Sequence, residues 1–206
     1  MHRTPYHIKT ITMSRIQRTT RATRETTIEC CLDFDNNAPC NIQTGIGFLD
    51  HMLITFATHA MLGIELQCKG DLHVDDHHLV EDTALTLGNT INMILADKKG
   101  ITRFGFAYAP MDEALSRCVI DLSGRPYTSI DLGLKRESIG TMACENVTHF
   151  FESFAMSLKA SLHIDVLKGQ NDHHRIESAF KAFAIAFRQA TALSNCTTIP
   201  STKGVL

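Results

Sequence analysis

Two short clusters hold the residues best suited to chemistry, Asp76-His77-His78-Leu79-Val80-Glu81 and Asp172-His173-His174-Arg175-Ile176-Glu177. Imidazole and carboxylate together suit Mn, Fe, Zn, Ni or Co, and neither cluster contains a cysteine. If each cluster opens a helix, His77 and Glu81 stand one turn apart on one face and can grip a single ion. His78 then points about 100° away, which aims it at a different ion. The same holds for His173, Glu177 and His174. With the lone His51 and His149, the chain offers six imidazoles and two carboxylates, or three His and one Glu for each of two ions. One carboxylate per ion leaves positions open for a substrate.

The clusters belong to a repeat. The first half reads His51, Phe56-Ala57, Ile64-Glu65-Leu66, Lys69-Gly70 and then its cluster. The second reads His149, Phe154-Ala155, Ile164-Asp165-Val166, Lys168-Gly169 and then its own. His149 follows His51 by 98 positions, Gly169 follows Gly70 by 99, and His173 follows His77 by 96. The difference falls between the glycine and the cluster, in a loop, where a change of length costs least. Two copies of one unit, related by a pseudo-twofold, are expected over about 18–100 and about 101–195. Of the five remaining histidines, His2, His7, His73 and His163 read as surface or satisfied core residues.

The elements that position these groups alternate in period. Thr27–Phe34 puts Ile28, Cys30, Leu32 and Phe34 on one side, the pattern of a half-buried strand, and Asp35-Asn36-Asn37 reads as a turn. Strands are also expected at Ile64–Lys69, Ser116–Leu122 and Ile164–Val166. Helical stripes run His78–Leu95 and Asn146–Leu162. Strands interleave with helices and no Pro- or Ser-rich linker divides the chain, so the expected class is α/β, with sheets backed by helices on one face in a single catalytic domain.

Composition sets limits. At 206 residues, 44% hydrophobic, 20% charged and with net charge -2, the chain can bury a core and offers no charge signature of nucleic-acid or membrane-surface binding. Seven cysteines without a C-x-x-C pair read as reduced thiols, and no run is long enough to span a bilayer, so a cytoplasmic location is expected. Arg3, Lys9, Arg15, Arg18, Arg21 and Arg24 precede the first acid, Glu25, and form a basic arm. Arg103, Arg125, Lys181 and Lys203, the last in a Ser-Thr loop, are the residue types that hold phosphate.

Gly45–Leu53 (GIGFLDHML), Gly70–Asp82 (GDLHVDDHHLVED), Leu122–Pro126 (LSGRP), Asn171–Ser178 (NDHHRIES), Phe180–Ala184 (FKAFA) and Ile199–Leu206 (IPSTKGVL) closely resemble the imidazoleglycerol-phosphate dehydratase family of histidine biosynthesis. The resemblance spans nearly everything from Arg18 onward, in the monofunctional form. It implies an α+β sandwich of two halves, each a four-stranded sheet with two helices packed on one face, assembled as a 24-subunit shell with active sites between subunits. It implies two Mn ions per active site, held by His51, His77, His78, Glu81, His149, His173, His174 and Glu177. Substrate contacts carry over onto Glu25, His51, His59, Arg103, Arg125, Lys181, Ser201, Thr202 and Lys203, the last three in a C-terminal loop 199–206. The implied catalytic residues are Glu25, His78 and His174. Ile54-Thr55 departs from the Asp-Gln found in many members.

The implied reaction takes water from imidazole glycerol phosphate to give imidazole acetol phosphate. The departing proton sits on a carbon with no adjacent carbonyl and is too weakly acidic for a carboxylate unaided. An imidazole held between two cations can become imidazolate and push out the neighbouring hydroxyl, after which the adjacent C–H yields to a positioned base. Glu25 is the candidate base because it stands outside the ligand set. Two other readings stay open: a dinuclear metallohydrolase, which would carry more Asp ligands, and a metal-storage shell, which would have no use for Arg125, Lys181 and Lys203.

Overall fold

A computed structural model describes residues 14–36, 40–194 and 198–206. His2, Arg3, His7, Lys9, Asn37 and Cys196 lie outside them. The chain passes twice through one order of elements. The first pass is β1 (Ile16–Ala22), β2 (Thr26–Asp33), β3 (Asn41–Gln43), α1 (Gly47–Ala60), β4 (Gly63–Gly70) and α2 (His77–Leu95). The second is β5 (Phe104–Met111), β6 (Ala114–Asp121), β7 (Tyr127–Asp131), then a small ribbon of β8 (Ser138–Ile139) and β9 (Met142–Ala143), then α3 (Cys144–Leu158), β10 (Ser161–Lys168) and α4 (Asp172–Thr191). The sheets are ordered β1-β2-β4-β3 and β5-β6-β10-β7. In each, three strands run antiparallel and the last pairs parallel with its neighbour. The duplicated α/β architecture is therefore present.

Short polar side chains fix the first turns of α2 and α4 at the histidine clusters, Asn171 as the cap of α4 and Asp75 from just before the cap of α2. Asp75 Oδ1 accepts from the His77 amide and Asn171 Oδ1 from the His173 amide, both at 2.9 Å, satisfying amides that the first turn leaves free. Both helices preceding β4 and β10 end on a left-handed residue, Met61 (φ 60°) and Lys159 (φ 59°). The stripe read as helical from Asn146 to Leu162 therefore stops at Leu158. Leu162 is apolar because it is a buried strand residue of β10.

The helices join the halves. α2 packs on β1, β2 and β4, and α4 on β5, β6 and β10, while α2 also meets α3 and α1 meets α4. Phe56 of α1 stacks on Phe183 of α4 with centroids 5.0 Å apart, and Phe154 of α3 meets the same ring edge-on at 5.2 Å. Such pairs add about 0.5–1.5 kcal/mol beyond their burial. The helix layer approaches β5 closely at Gly105, where a Cβ would lie 1.9 Å from the carbonyl oxygen of Ala186. Neither backbone can yield cheaply, so Gly105→Ala should cost about 3 kcal/mol. That corresponds to a fall of roughly 6–12 °C in melting midpoint for a chain of this size. An unchanged midpoint by calorimetry would mean that α4 does not rest on β5 at this distance.

The six cysteines among the described residues are free. Burial pushes the Cys30 thiol up to about 12, so it stays protonated at neutral pH. Among the described residues no helix is long and apolar enough to cross a membrane.

Candidate metal centres

The capped first turns bring two ligand sets together, and each set draws on both halves of the chain. His173 and Glu177 on α4 meet His51 on α1; His77 and Glu81 on α2 meet His149 on α3. In each trio the potential ligand atoms lie within 4.8 Å of one another. His51 Nε2 is 3.5 Å and His173 Nε2 3.3 Å from Glu177 Oε2. In the other set His149 Nε2 is 3.6 Å from Glu81 Oε1, and the rings of His77 and His149 stack at 4.6 Å. The lone histidine of each half thus serves the cluster of the opposite half, because α1 packs on α4 and α3 on α2.

The donor chemistry fits a cation. His149 Nε2 is buried and finds no hydrogen-bond partner, a costly state for a lone pair unless an ion meets it. On His77 the surroundings fix the tautomer. Asn146 donates through Nδ2 to Asp76 Oδ1 at 2.9 Å, so its Oδ1, 3.2 Å from His77 Nδ1, must accept. The proton is then on Nδ1 and Nε2 is left as a ligand, the usual way an outer carboxamide or carboxylate orients a metal histidine.

His78 and His174 do not join these trios; as the helical period demands, they diverge. A carboxylate holds each by Nδ1: Asp71 Oδ2 at 2.9 Å from His78 and Glu113 Oε2 at 2.7 Å from His174. These bonds raise both imidazoles above their ordinary pKa. Each trio therefore has two His and one Glu from this chain, one imidazole short of an even division.

Glu25 lies at the β1–β2 tip, its Oε2 3.9 Å from His78 Nδ1. Glu113 occupies the matching tip of the second half, directly before β6 as Glu25 is directly before β2. The resemblance to Glu25 was the available signal for Glu113. Asp71, which follows Gly70, has no acidic counterpart at Gln170 and gave no such signal.

The cationic residues divide. Lys181 Nζ bonds Glu177 Oε1 at 2.8 Å, and this contact with His51 outweighs the burial that would raise the Glu177 carboxyl, leaving it below the usual range. His59 sits near Lys181, Arg188 and Glu177; burial and then the two cations depress it. Arg103 bonds Asp121 two-pronged, at 2.7 and 3.1 Å, and donates through Nη1 to the carbonyl of Pro200 at 2.8 Å. That last bond ties it to the segment carrying Ser201, Thr202 and Lys203. Arg125 is exposed, its Nη1 3.4 Å from Ser123 O. At the departure from the family pattern, Thr55 is buried in α1 and Ile54 is exposed.

The same fold occurs in the crystal structure of the imidazoleglycerol-phosphate dehydratase from Staphylococcus aureus, with TM-score 0.79 and 37% identity over 87% of this chain and 99% of that one. Fold and site thus define a hydro-lyase, an enzyme that eliminates water. A family model for imidazoleglycerol-phosphate dehydratase matches residues 44–187, and the chain belongs to that family. The Zygosaccharomyces bailii enzyme of that name is 54% identical over 166 residues, 81% of this chain and 74% of the yeast protein. A longer relative from Phytophthora nicotianae is 50% identical over 186 residues, 90% of this chain and 41% of its own length.

Proposed function

We propose that the chain dehydrates imidazole glycerol phosphate to imidazole acetol phosphate in histidine biosynthesis, in the cytoplasm, with two manganese ions per active site. The observation that carries this reading is the pair of His–Glu trios, each assembled across the two repeats of a chain in this family. The repeats act as one catalytic domain, with 199–206 as a substrate loop. His78 and His174, directed away from the trios, complete centres in neighbouring subunits of a homo-oligomer, a 24-mer by family resemblance.

Bound ions supply positive charge that makes the substrate's imidazole a better electron relay to the departing hydroxyl. The chain's own groups do the rest. Arg103, Arg125, Lys181, Ser201, Thr202 and Lys203 bind the phosphate, and His59 lines the site beside Lys181. Once the C–O bond has broken, Glu25 takes the proton from the neighbouring carbon, and that proton balances the hydroxide, so that the two leave together as water and the enol formed relaxes to the ketone. Glu25 is better placed for this than Glu113. Glu113 already accepts from His174 and from the Gln170 and Asn171 amides, whereas Asp71 occupies His78 and leaves the Glu25 carboxylate available.

Protein loaded with manganese and given imidazole glycerol phosphate should form a ketone product that chelation abolishes. Release of inorganic phosphate without the ketone would favour a hydrolase instead, and neither product would leave metal storage.

A further inference from the structure

Lys98 holds a buried charge that neither centre uses. It lies in the linker between the repeats, is 4% exposed and has φ 59°. Its Nζ donates to the carbonyl of Leu122 at 3.1 Å. Among the described residues no carboxylate comes within ion-pair distance of it. The charged groups that face it are Lys159, Asp121 and Arg103, and Asp121 is already taken by the two-pronged bond from Arg103. Burial, then Lys159, pull the ammonium below its usual pKa, while Asp121 opposes them.

A buried ammonium without its own counterion is expensive, and such a charge persists where something else uses it. Here the surroundings say what would. Leu122 opens the turn to Arg125, and its amide is fixed by the Arg103 carbonyl at 3.1 Å. The linker also holds the start of the C-terminal segment, Gly100 N donating to Thr198 O at 3.3 Å. At this end of β6, Lys98 faces two cations, Arg103 and Lys159, and one carboxylate, Asp121, which Arg103 holds, and the exposed Arg125 follows three residues after Leu122. The excess is positive and partly withdrawn from water, where charges act more strongly than in bulk solvent.

We propose that Lys98 is a positioning residue for the substrate's phosphate monoester, its uncompensated charge acting with Arg103 and Arg125 to hold a dianion at the Leu122–Arg125 turn. The inference rests on the reading above, in which Arg103, Arg125, Ser201 and Lys203 take the phosphate.

A structural lysine and an anion-holding one predict opposite results. Melting midpoints of the assembled protein would be taken with and without inorganic phosphate, for the parent, Lys98→Met, Lys98→Gln and Lys98→Arg. Phosphate should raise the parent's midpoint, since a ligand that binds only the native state stabilises it. Without phosphate, Lys98→Met should melt at or above the parent, because an unpaired buried charge has gone. Its phosphate-induced rise should shrink, and KM for the phosphorylated substrate should increase about tenfold with kcat nearly unchanged. Lys98→Gln keeps a donor for Leu122 O without the charge and should behave alike, which covers a Met variant that fails to fold. Lys98→Arg should restore affinity. An unaltered phosphate response and KM in both neutral variants would overturn the role of Lys98 alone. So would a loss of stability in both with kcat and KM impaired together. A parent that gains nothing from phosphate would refute the phosphate reading itself, and the inference with it.

Discussion

Replacing His51 and His173 together should cost the protein one of its two bound ions, whereas replacing His51 and His77 together should cost both. The expectation follows from the exchange of lone histidines: His51 stands with His173 and Glu177, and His149 with His77 and Glu81. Had each half served itself, His51 and His77 would share an ion and the pattern would invert. Single changes, His77→Ala or His173→Ala, leave one imidazole and one carboxylate of this chain in the affected trio. Disturbing only the partners behind a ligand costs about 10–100-fold in affinity, so losing a direct ligand should cost more, and activity should vanish with the metal. Metal analysis after gel filtration measures this. Full occupancy in either single variant would remove these residues from the ligand set.

Glu25→Gln should keep both ions and bind substrate with near-parental affinity while turnover falls by about 10²–10⁴, the usual worth of a general base. The carboxamide fits where the carboxylate was, and the tip is held by other groups. Thr23 Oγ1 accepts from the Glu25 and Thr26 amides at 3.1 and 3.0 Å. Thr26 Oγ1 in turn bonds the buried Asp82, which Arg21 also meets at 2.6 Å. Asp82 directly follows Glu81, so the tip is anchored to the helix that carries two members of the candidate trio, His77 and Glu81. Loss confined to the transition state lowers kcat and kcat/KM together. Activity within a few-fold of the parent would send the search for the base elsewhere, first to Glu177.

What the sequence discloses depends on whether a residue's neighbours are near it in the chain. The imidazole and carboxylate types of the two clusters, their i, i+4 spacing and the divergence of His78 and His174 are local, and all are readable. The strands β2, β4, β6 and β10 alternate in the ordinary sense and are readable too. β5 is not, because its pattern is inverted. Gly105, Ala107 and Ala109 face α4, which approaches too closely for anything larger, and Phe104, Phe106 and Tyr108 face outward. β1 has no readable period for another reason: none of its residues is buried, and most are polar. Which lone histidine joins which cluster is a matter of how the helices pack across the repeat, and no spacing along the chain encodes it. The same is true of Asp71 and Lys98, each of which acquires its meaning from a partner brought in by folding.

The exchange of histidines bears on how such a protein could have arisen. One repeat contains every ligand type, a lone His and a His-His-x-x-Glu run, yet its own fold keeps the lone His away from its own cluster. Two separate copies of an ancestral half-length chain, joined face to face so that each lent its histidine to the other, would have formed both centres at once and identically, as an isologous pair must. Fusion of the two genes would then secure the partnership. It would also free the copies to differ, so that one hairpin tip could keep its glutamate locked on a histidine while the other left it at liberty.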